Sequence, residues 1–182
     1  YDGNTGATLG PTNYIYTGLV SGETCTVNQA TGVYASKNVS TGIVVTVTLV
    51  STNFADYGGS GFLTNNYALP AGATGAVGTI TLKTLTVTGA TAQDKVYDGL
   101  TNAVISMAGA TTNGVISGDD VQVSNLAGWF AAPGVGTNIP VTAALTLTGA
   151  DKDNYSLTQP AGLAAAITKK TLTAELAPTI GK

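Results

Sequence analysis

Histidine is absent from all 182 residues, and cysteine occurs once, at Cys25. The first absence removes Ser-His-Asp and Cys-His nucleophile pairs and every histidine-containing zinc site. The second excludes an intrachain disulfide and a cysteine metal cluster. Charge is also scarce: Asp, Glu, Lys and Arg together make up 9% of the chain, where an average soluble domain has about 25%. The net charge of -3, with seven thinly spread basic residues, leaves no electrostatic footprint for nucleic acid or an anionic membrane. No apolar run approaches the ~20 residues of a membrane-spanning helix, and no signal peptide opens the sequence. These absences lead us to expect no enzyme, no cofactor, no metal site, no nucleic-acid partner and no membrane span. Because the chain opens at Tyr1 without an initiator Met, it is expected to be a fragment or a processed product.

Hydrophobic residues nevertheless make up 43%, which separates the composition from that of a disordered segment. What the chain has in abundance is repetition. Tyr1-Asp2-Gly3 recurs as Tyr97-Asp98-Gly99, and the offset of 96 (97 − 1) holds without a gap through half a module. It pairs Gly18 with Gly114, Ser21 with Ser117, Val27 with Val123, Gly32 with Gly128, Val45 with Val141 and Leu49 with Leu145, and it sets Tyr34 against Phe130. Cys25 falls opposite Val121, so it reads as a small buried hydrophobe. The register then breaks at an insertion, Asn53 to Gly61, whose glycines predict a loop, and it resumes at Asn66-Tyr67 against Asn154-Tyr155.

β-Branched residues and period-two alternation run throughout, and no stretch reads as an amphipathic helix, so the fold class is all-β. Ile43, Val45, Val47 and Leu49 share one face of a strand, with Val44, Thr46 and Thr48 on the other; Ile139, Val141, Ala143, Leu145 and Leu147 repeat the pattern. Shorter strands are predicted at 24–27, 33–35, 67–69, 121–123, 129–131 and 155–157, separated by turns such as Ser21-Gly22-Glu23 and Ser117-Gly118-Asp119. Strands of this length and spacing predict two tandem sandwich-like β modules stacked end to end.

The segment 79–88 sharpens the boundary. Its apolar residues fall on even positions at Ile80 and Leu82 and on odd positions at Leu85 and Val87. A strand that changes its buried face partway is bulged or passes from one core to another. We read Ile80–Leu82 as the last strand of one module and Leu85–Val87 as the first of the next. The division is then 1–83, a first module lacking its own first strand; 84–170, a second module; and 171–182, the first strand and linker of a following module.

Lys95-Val96-Tyr97-Asp98-Gly99, then Gly118-Asp119-Asp120-Val121, Leu145-Thr146-Leu147-Thr148-Gly149, Asn154-Tyr155-Ser156-Leu157 and Ile167-Thr168-Lys169-Lys170, resemble in their order the YDG domain. Such domains occur in tandem in large bacterial surface and secreted proteins, including filamentous-haemagglutinin-type adhesins. The resemblance implies an extracellular or cell-surface repeat of a bacterial fibre or stalk, with no enzyme activity.

Several residue groups are candidates for function. Tyr1-Asp2-Gly3 and Tyr97-Asp98-Gly99 read as structural corners in which the ring packs, the carboxylate bonds nearby amides and the glycine takes a positive φ. Asp119, Asp120, Asp151, Asp153 and Asn154 offer oxygen ligands for calcium, but not at EF-hand spacing and with no equivalent Asp-x-Asp in the first copy. Lys83 or Lys170, Asn66 or Asn154, and Asp2 or Asp98 could form an isopeptide crosslink only if buried together. Tyr57, in the insertion, is the candidate surface contact for a glycan or protein ligand, while Trp129 and Tyr34 are expected in the cores. The assembly strand is Thr171, Leu172, Thr173, Ala174, Glu175, Leu176 and Ala177: it would complete the first module of a neighbouring copy head-to-tail, because an open sheet edge recruits strands.

Overall fold

A computed structural model describes residues 1–124 and 126–176. The chain divides into two compact units, Tyr1–Lys83 and Thr84–Lys182. Both are built from strands, and the described residues contain no helix longer than a three-residue 3-10 turn.

The first unit holds β1 (Gly6–Thr8), β2 (Cys25–Val27), β3 (Thr31–Tyr34), β4 (Ser40–Thr48), β5 (Phe54–Asp56) and β6 (Gly72–Ile80). They form a four-stranded sheet in the order β1-β3-β4-β6 and a separate β2-β5 pair. β4 follows its sequence pattern: Ile43, Val45 and Val47, with Leu49 just beyond the strand, are buried, and the intervening Val44, Thr46 and Thr48 are exposed.

The second unit holds β7 (Lys83–Thr88), β8 (Thr91–Ala92), β9 (Lys95–Val96), β10 (Asn102–Ser106), β11 (Thr111–Asn113), β12 (Gln122–Ser124), β13 (Ala127–Phe130), β14 (Gly136–Ala143), β15 (Thr146–Thr148), β16 (Tyr155–Thr158) and β17 (Leu163–Thr168). Its large sheet runs β8-β10-β13-β14-β17-β9, with β9 parallel to β17, and two smaller sheets run β11-β7-β16 and β12-β15. Val87, from the three-stranded sheet, shares one core with Ile105, Phe130, Val141, Ala143, Leu145 and Ile167 around the large sheet, which makes this unit a sandwich. β14 bulges between Gly136 and Ile139, where Asn138 takes φ 58°, and Ile139 is left half-buried.

The two units agree where the sequences align and differ at one place. β1, β3 and β4 stand at the positions of β10, β13 and β14, and β2 with β5 stands for β12 with β15. β7, however, lies between β11 and β16, whereas the runs equivalent to those flanks, Ile15–Thr17 and Tyr67–Leu69, pair with no strand among the described residues. The predicted strand at 67–69 is therefore absent: its counterpart β16 is a strand because β7 pairs with it. Burial follows suit. Tyr155 is 5% exposed and Asn154 is buried, while Tyr67 is half-exposed and Asn66 exposed. The second core holds nine buried residues against five in the first, so the first unit is the less completely covered.

Two further expectations are corrected. The insertion is not a single loop: Phe54–Asp56 is strand β5, and the pairings Val27↔Phe54 and Val123↔Leu147 show that it replaces β15. The extra residues lie on either side, in the 3-10 turn Ser51–Asn53 and in the glycine-rich turn at Gly58-Gly59. Alternation also decides the aromatics. Phe130 is buried at 3% exposure while its neighbour Trp129, pointing the other way, is 53% exposed; Tyr34, opposite Phe130 in the repeat, is half-buried against the first core.

Candidate functional site

The Tyr-Asp-Gly corners take the same local form. Asp98 Oδ1 accepts from the Leu100 amide at 2.9 Å and Asp2 Oδ1 from the Asn4 amide at 3.1 Å, while Gly99 and Gly3 have φ of 81° and 80°. Each is an Asx turn that a glycine in the left-handed region completes. The Tyr97 amide donates to Thr168 O at 2.9 Å, and the Tyr1 nitrogen donates to Thr81 O at 2.7 Å. Tyr97 itself does not pack as expected; its ring is exposed.

In the second unit Lys95 organises the corner. Its ammonium meets Asp98 Oδ1 at 2.7 Å, donates to Leu100 O, Asn102 O and Asn102 Oδ1 at 2.8, 3.1 and 3.0 Å, and lies 5.8 Å from the centre of the Phe130 ring. The Lys95 ammonium, with the Leu100 amide, holds the Asp98 carboxyl below the usual carboxylate range. In the first unit the Asn4 amide does the same for Asp2. The acid considered for an isopeptide is thus engaged by Lys95, and Lys170 is exposed.

A second recurring device ties the turns Ser21-Gly22-Glu23 and Ser117-Gly118-Asp119 to the tyrosine of Asn-Tyr. Tyr155 Oη donates to Asp119 Oδ2 at 2.6 Å and accepts from the Ile116 amide at 3.0 Å. Tyr67 Oη donates to Glu23 Oε2 and accepts from the Val20 amide at 3.0 Å. Asp120 accepts from the Ala150 amide at 3.0 Å, and its own amide donates to Asp151 Oδ2 at 2.9 Å. Of the carboxylates considered for calcium, Asp120 and Asp151 cap backbone amides, Asp119 accepts from Tyr155 and Asp153 from the Lys152 ammonium, and no group of three or more metal-ligating side chains occurs among the described residues. In the first unit Thr24 stands at the position of Asp120: its amide donates to Ser60 Oγ at 2.8 Å, and Ser60 Oγ donates to Asp56 Oδ1 at 2.6 Å.

The concave surface of interest lies in the first unit, between Ile15–Thr17 and Tyr67–Leu69. A cleft of about 190 Å³ there is lined by Tyr16, Cys25, Phe54, Phe62, Tyr67 and Leu69, and Phe62 stacks on Tyr67 with centroids 5.2 Å apart. A second cleft of about 280 Å³ is lined by Leu9, Tyr14, Ile15, Val45, Val47 and Val77. In the second unit, the residues equivalent to Leu9, Val45 and Val47 are Ile105, Val141 and Ala143, and Val87 of β7 packs with them. Both clefts thus fall along the line that β7 follows in the second unit.

One glycine reports the difference directly. A Cβ on Gly114 would lie 2.8 Å from Thr84 O and 3.3 Å from Leu85 Cδ2, both on β7. On Gly18, its equivalent, a Cβ would meet nothing within 4 Å. Burial raises the Cys25 thiol above its ordinary range, and this residue lies in the first cleft. The sequence predicts an open edge in the first module but singles out none of these residues, because the walls of the cleft read as core.

Of the expected assembly strand, Thr171–Leu176 is described and carries no strand pairing, with Leu172 93% exposed and Leu176 exposed; Ala177 lies outside the described residues. Tyr57 is exposed in the turn after β5, and its carbonyl accepts from Thr24 Oγ1 at 2.5 Å.

The YDG domain family matches residues 1–75 and again 81–162, the second match beginning 16 residues ahead of Tyr97 (97 − 81) and so including β7. No curated protein and no solved structure matches the chain. The two matches cover most of the sequence, each bearing its own Tyr-Asp-Gly corner, and the chain belongs to the YDG domain family.

Proposed function

We propose that this chain is a structural repeat segment of an extracellular bacterial fibre or adhesin stalk, assembling head-to-tail by strand complementation. The observation that carries the reading is the unequal treatment of one strand position in two otherwise matching modules: β7 fills it in the second unit, and apolar clefts mark it in the first. The polar residues that recur do structural work on the backbone, as the Asx turns and tyrosine latches illustrate. The scarcity of charge and cysteine suits a stalk outside the cell. Neighbouring copies are the partners, and no catalytic or cofactor role is assigned.

Electron microscopy of the purified chain at increasing concentration tests this reading. Rods or filaments that lengthen with concentration support it; particles of single-chain size at every concentration contradict it.

A second reading, a carbohydrate- or protein-binding adhesin module, draws on the exposed aromatics. Trp129 stands on the solvent side of β13, opposite Asn102 on one neighbouring strand and Thr142 on the other, an arrangement of ring and polar groups that suits a sugar face. Glycan-dependent quenching of the single tryptophan, lost together with binding in Trp129→Ala, would favour this reading over a purely structural role.

A further inference from the structure

Resting on the stalk reading, we propose that residues 91–97 of the second unit form a mechanical clamp, placed so that tension along the chain loads its hydrogen bonds in shear. The strand directions carry the argument. β10, β13, β14 and β17 alternate in direction across the large sheet, β8 is antiparallel to β10, and β9 is parallel to β17. β8 and β9 therefore run the same way as β17. Tension on a stalk enters this unit ahead of β8, through β7, and leaves it after β17. It pulls β9 by its N-terminal end and β17 by its C-terminal end, which for parallel strands are opposite ends of the pair. The bonds between strands run across them, so they share a pull directed along them, whereas a hairpin pulled from its open end gives up its bonds one at a time.

One short segment grips both edges of the sheet. The Gln93 amide donates to Val104 O at 2.9 Å, extending the pairing of β8 with β10. One residue later the hold passes to β17. Asp94 Oδ1 accepts from the Ala166 amide at 2.6 Å, Lys95 and Val96 pair with Ile167 and Thr168, and the Tyr97 amide donates to Thr168 O at 2.9 Å. The Asp94 carboxylate thus lengthens, through a side chain, a parallel strand of only two residues. A hydrogen bond to an ionised acceptor is also about twice as strong as a neutral one. The Lys95 ammonium returns to β10, donating to Leu100 O and Asn102 O at 2.8 and 3.1 Å. β9 is braced from two sides, and sliding it along β17 breaks both sets of bonds together.

The clamp explains where the recurrent corner stands. Tyr97 is the last residue of the clamp and the first of the corner, and the Asx turn at Asp98 then sends the chain back into β10. The bond from the Tyr97 amide recurs in the first unit, where the Tyr1 nitrogen donates to Thr81 O at 2.7 Å. β7, ahead of the clamp, lies in the three-stranded sheet. Peeling it away frees residues 84–90, about 25 Å of chain, and leaves the clamp closed; breaking the clamp frees 84–168, about 300 Å.

Single-molecule pulling on the full chain, held by its two ends at constant load, separates the clamp from ordinary stability. Asp94→Ala removes a bond of the clamp. Gln159→Ala removes two bonds away from it: Gln159 Oε1 accepts from the Leu145 amide at 2.9 Å, and its Nε2 donates to Leu145 O at 2.8 Å. Asp94→Ala should speed the second unit's opening, the step of about 300 Å, by about tenfold, the loss of one hydrogen bond to a charged group. Asp94→Asn, which keeps an oxygen acceptor, should recover part of that loss. Gln159→Ala should lower the denaturant midpoint yet leave the rate under load nearly unchanged, because its bonds are still intact when the clamp breaks. The first unit supplies an opening that none of these variants moves. If Asp94→Ala and Gln159→Ala speed opening under load in proportion to their effects on the denaturant midpoint, the segment is ordinary packing and the clamp is refuted. Opening of the natural second unit in gradual small steps would refute it too. Single-chain particles at every concentration would overturn the stalk reading instead, and the pulling rates would still decide whether the shear geometry resists load.

Discussion

Tyr155 donates its hydroxyl proton to Asp119 at 2.6 Å, bridging residues 36 positions apart from a ring that is almost wholly buried. The same hydroxyl accepts from the Ile116 amide, so one group ties a donor and an acceptor of the same turn to the ring. Tyr155→Phe leaves both without this partner and is expected to destabilise the second unit by about 1–3 kcal/mol, measured by denaturant unfolding. Tyr67→Phe removes the equivalent bonds to Glu23 and Val20 from a more exposed ring and costs the first unit less.

Leu85 and Leu172 occupy the same position in the repeat, one buried and one 93% exposed. Leu85→Ala opens a cavity and should destabilise the second unit by about 2–5 kcal/mol. Leu172→Ala should leave the unfolding of dilute protein unchanged and weaken assembly alone. Equal losses of monomer stability in the two variants would show that Leu172 packs within its own chain.

Two glycines with positive φ separate backbone strain from close approach. A Cβ on Gly149, at φ +107°, would lie 2.2 Å from Asp120 O, whereas on Gly118, at φ +94°, it would meet nothing. Gly118→Ala therefore carries only the conformational strain, about 1–2 kcal/mol. Gly149→Ala should exceed it, because the Asp120–Asp151 clasp must also shift; thermal unfolding of the two variants provides the comparison.

The carboxyls of Asp98, Asp2 and Asp56 are held below the usual range, by the Lys95 ammonium, the Asn4 amide and the Ser60 hydroxyl respectively. A depressed folded-state pKa contributes stability above the unfolded value, about 3.9 for aspartate, that is lost as pH falls through the folded value. Stability should therefore decline below about pH 4, with the acid limb shallower in Asp98→Asn. At the alkaline end, the Glu23 carboxylate raises the Tyr67 hydroxyl. Its contribution is complete below the ordinary tyrosine value near 10 and is lost as pH rises through the raised one. Denaturant midpoints across pH provide both tests.

Much of the fold was legible because its determinants are local. The alternation of Ile43 to Leu49 specified β4 and its buried face, and the glycines of the two corners specified their turns. The errors have physical causes. Trp129 is expected in the core, yet in a strand only one of two neighbours can face it, and Phe130 takes that place. Strand β5 was hidden in an insertion because Phe54-Ala55-Asp56 is a strand only by pairing with β2, a non-local property. For the same reason Tyr67–Leu69 failed to become a strand while Tyr155–Thr158 did. The tyrosine latch has a signal in the recurrence of an acid at 23 and 119 with a tyrosine at 67 and 155, but its partners lie 44 and 36 residues apart, so the pairing itself is non-local.

The central claim is that residues after Lys170 join one copy to the next. Sedimentation velocity of the full chain and of the chain ended at Lys170, over the same concentration range, tests it most directly. The account predicts that the full chain grows into head-to-tail species and the shortened chain remains monomeric with both units folded. Identical assembly of the two would contradict it.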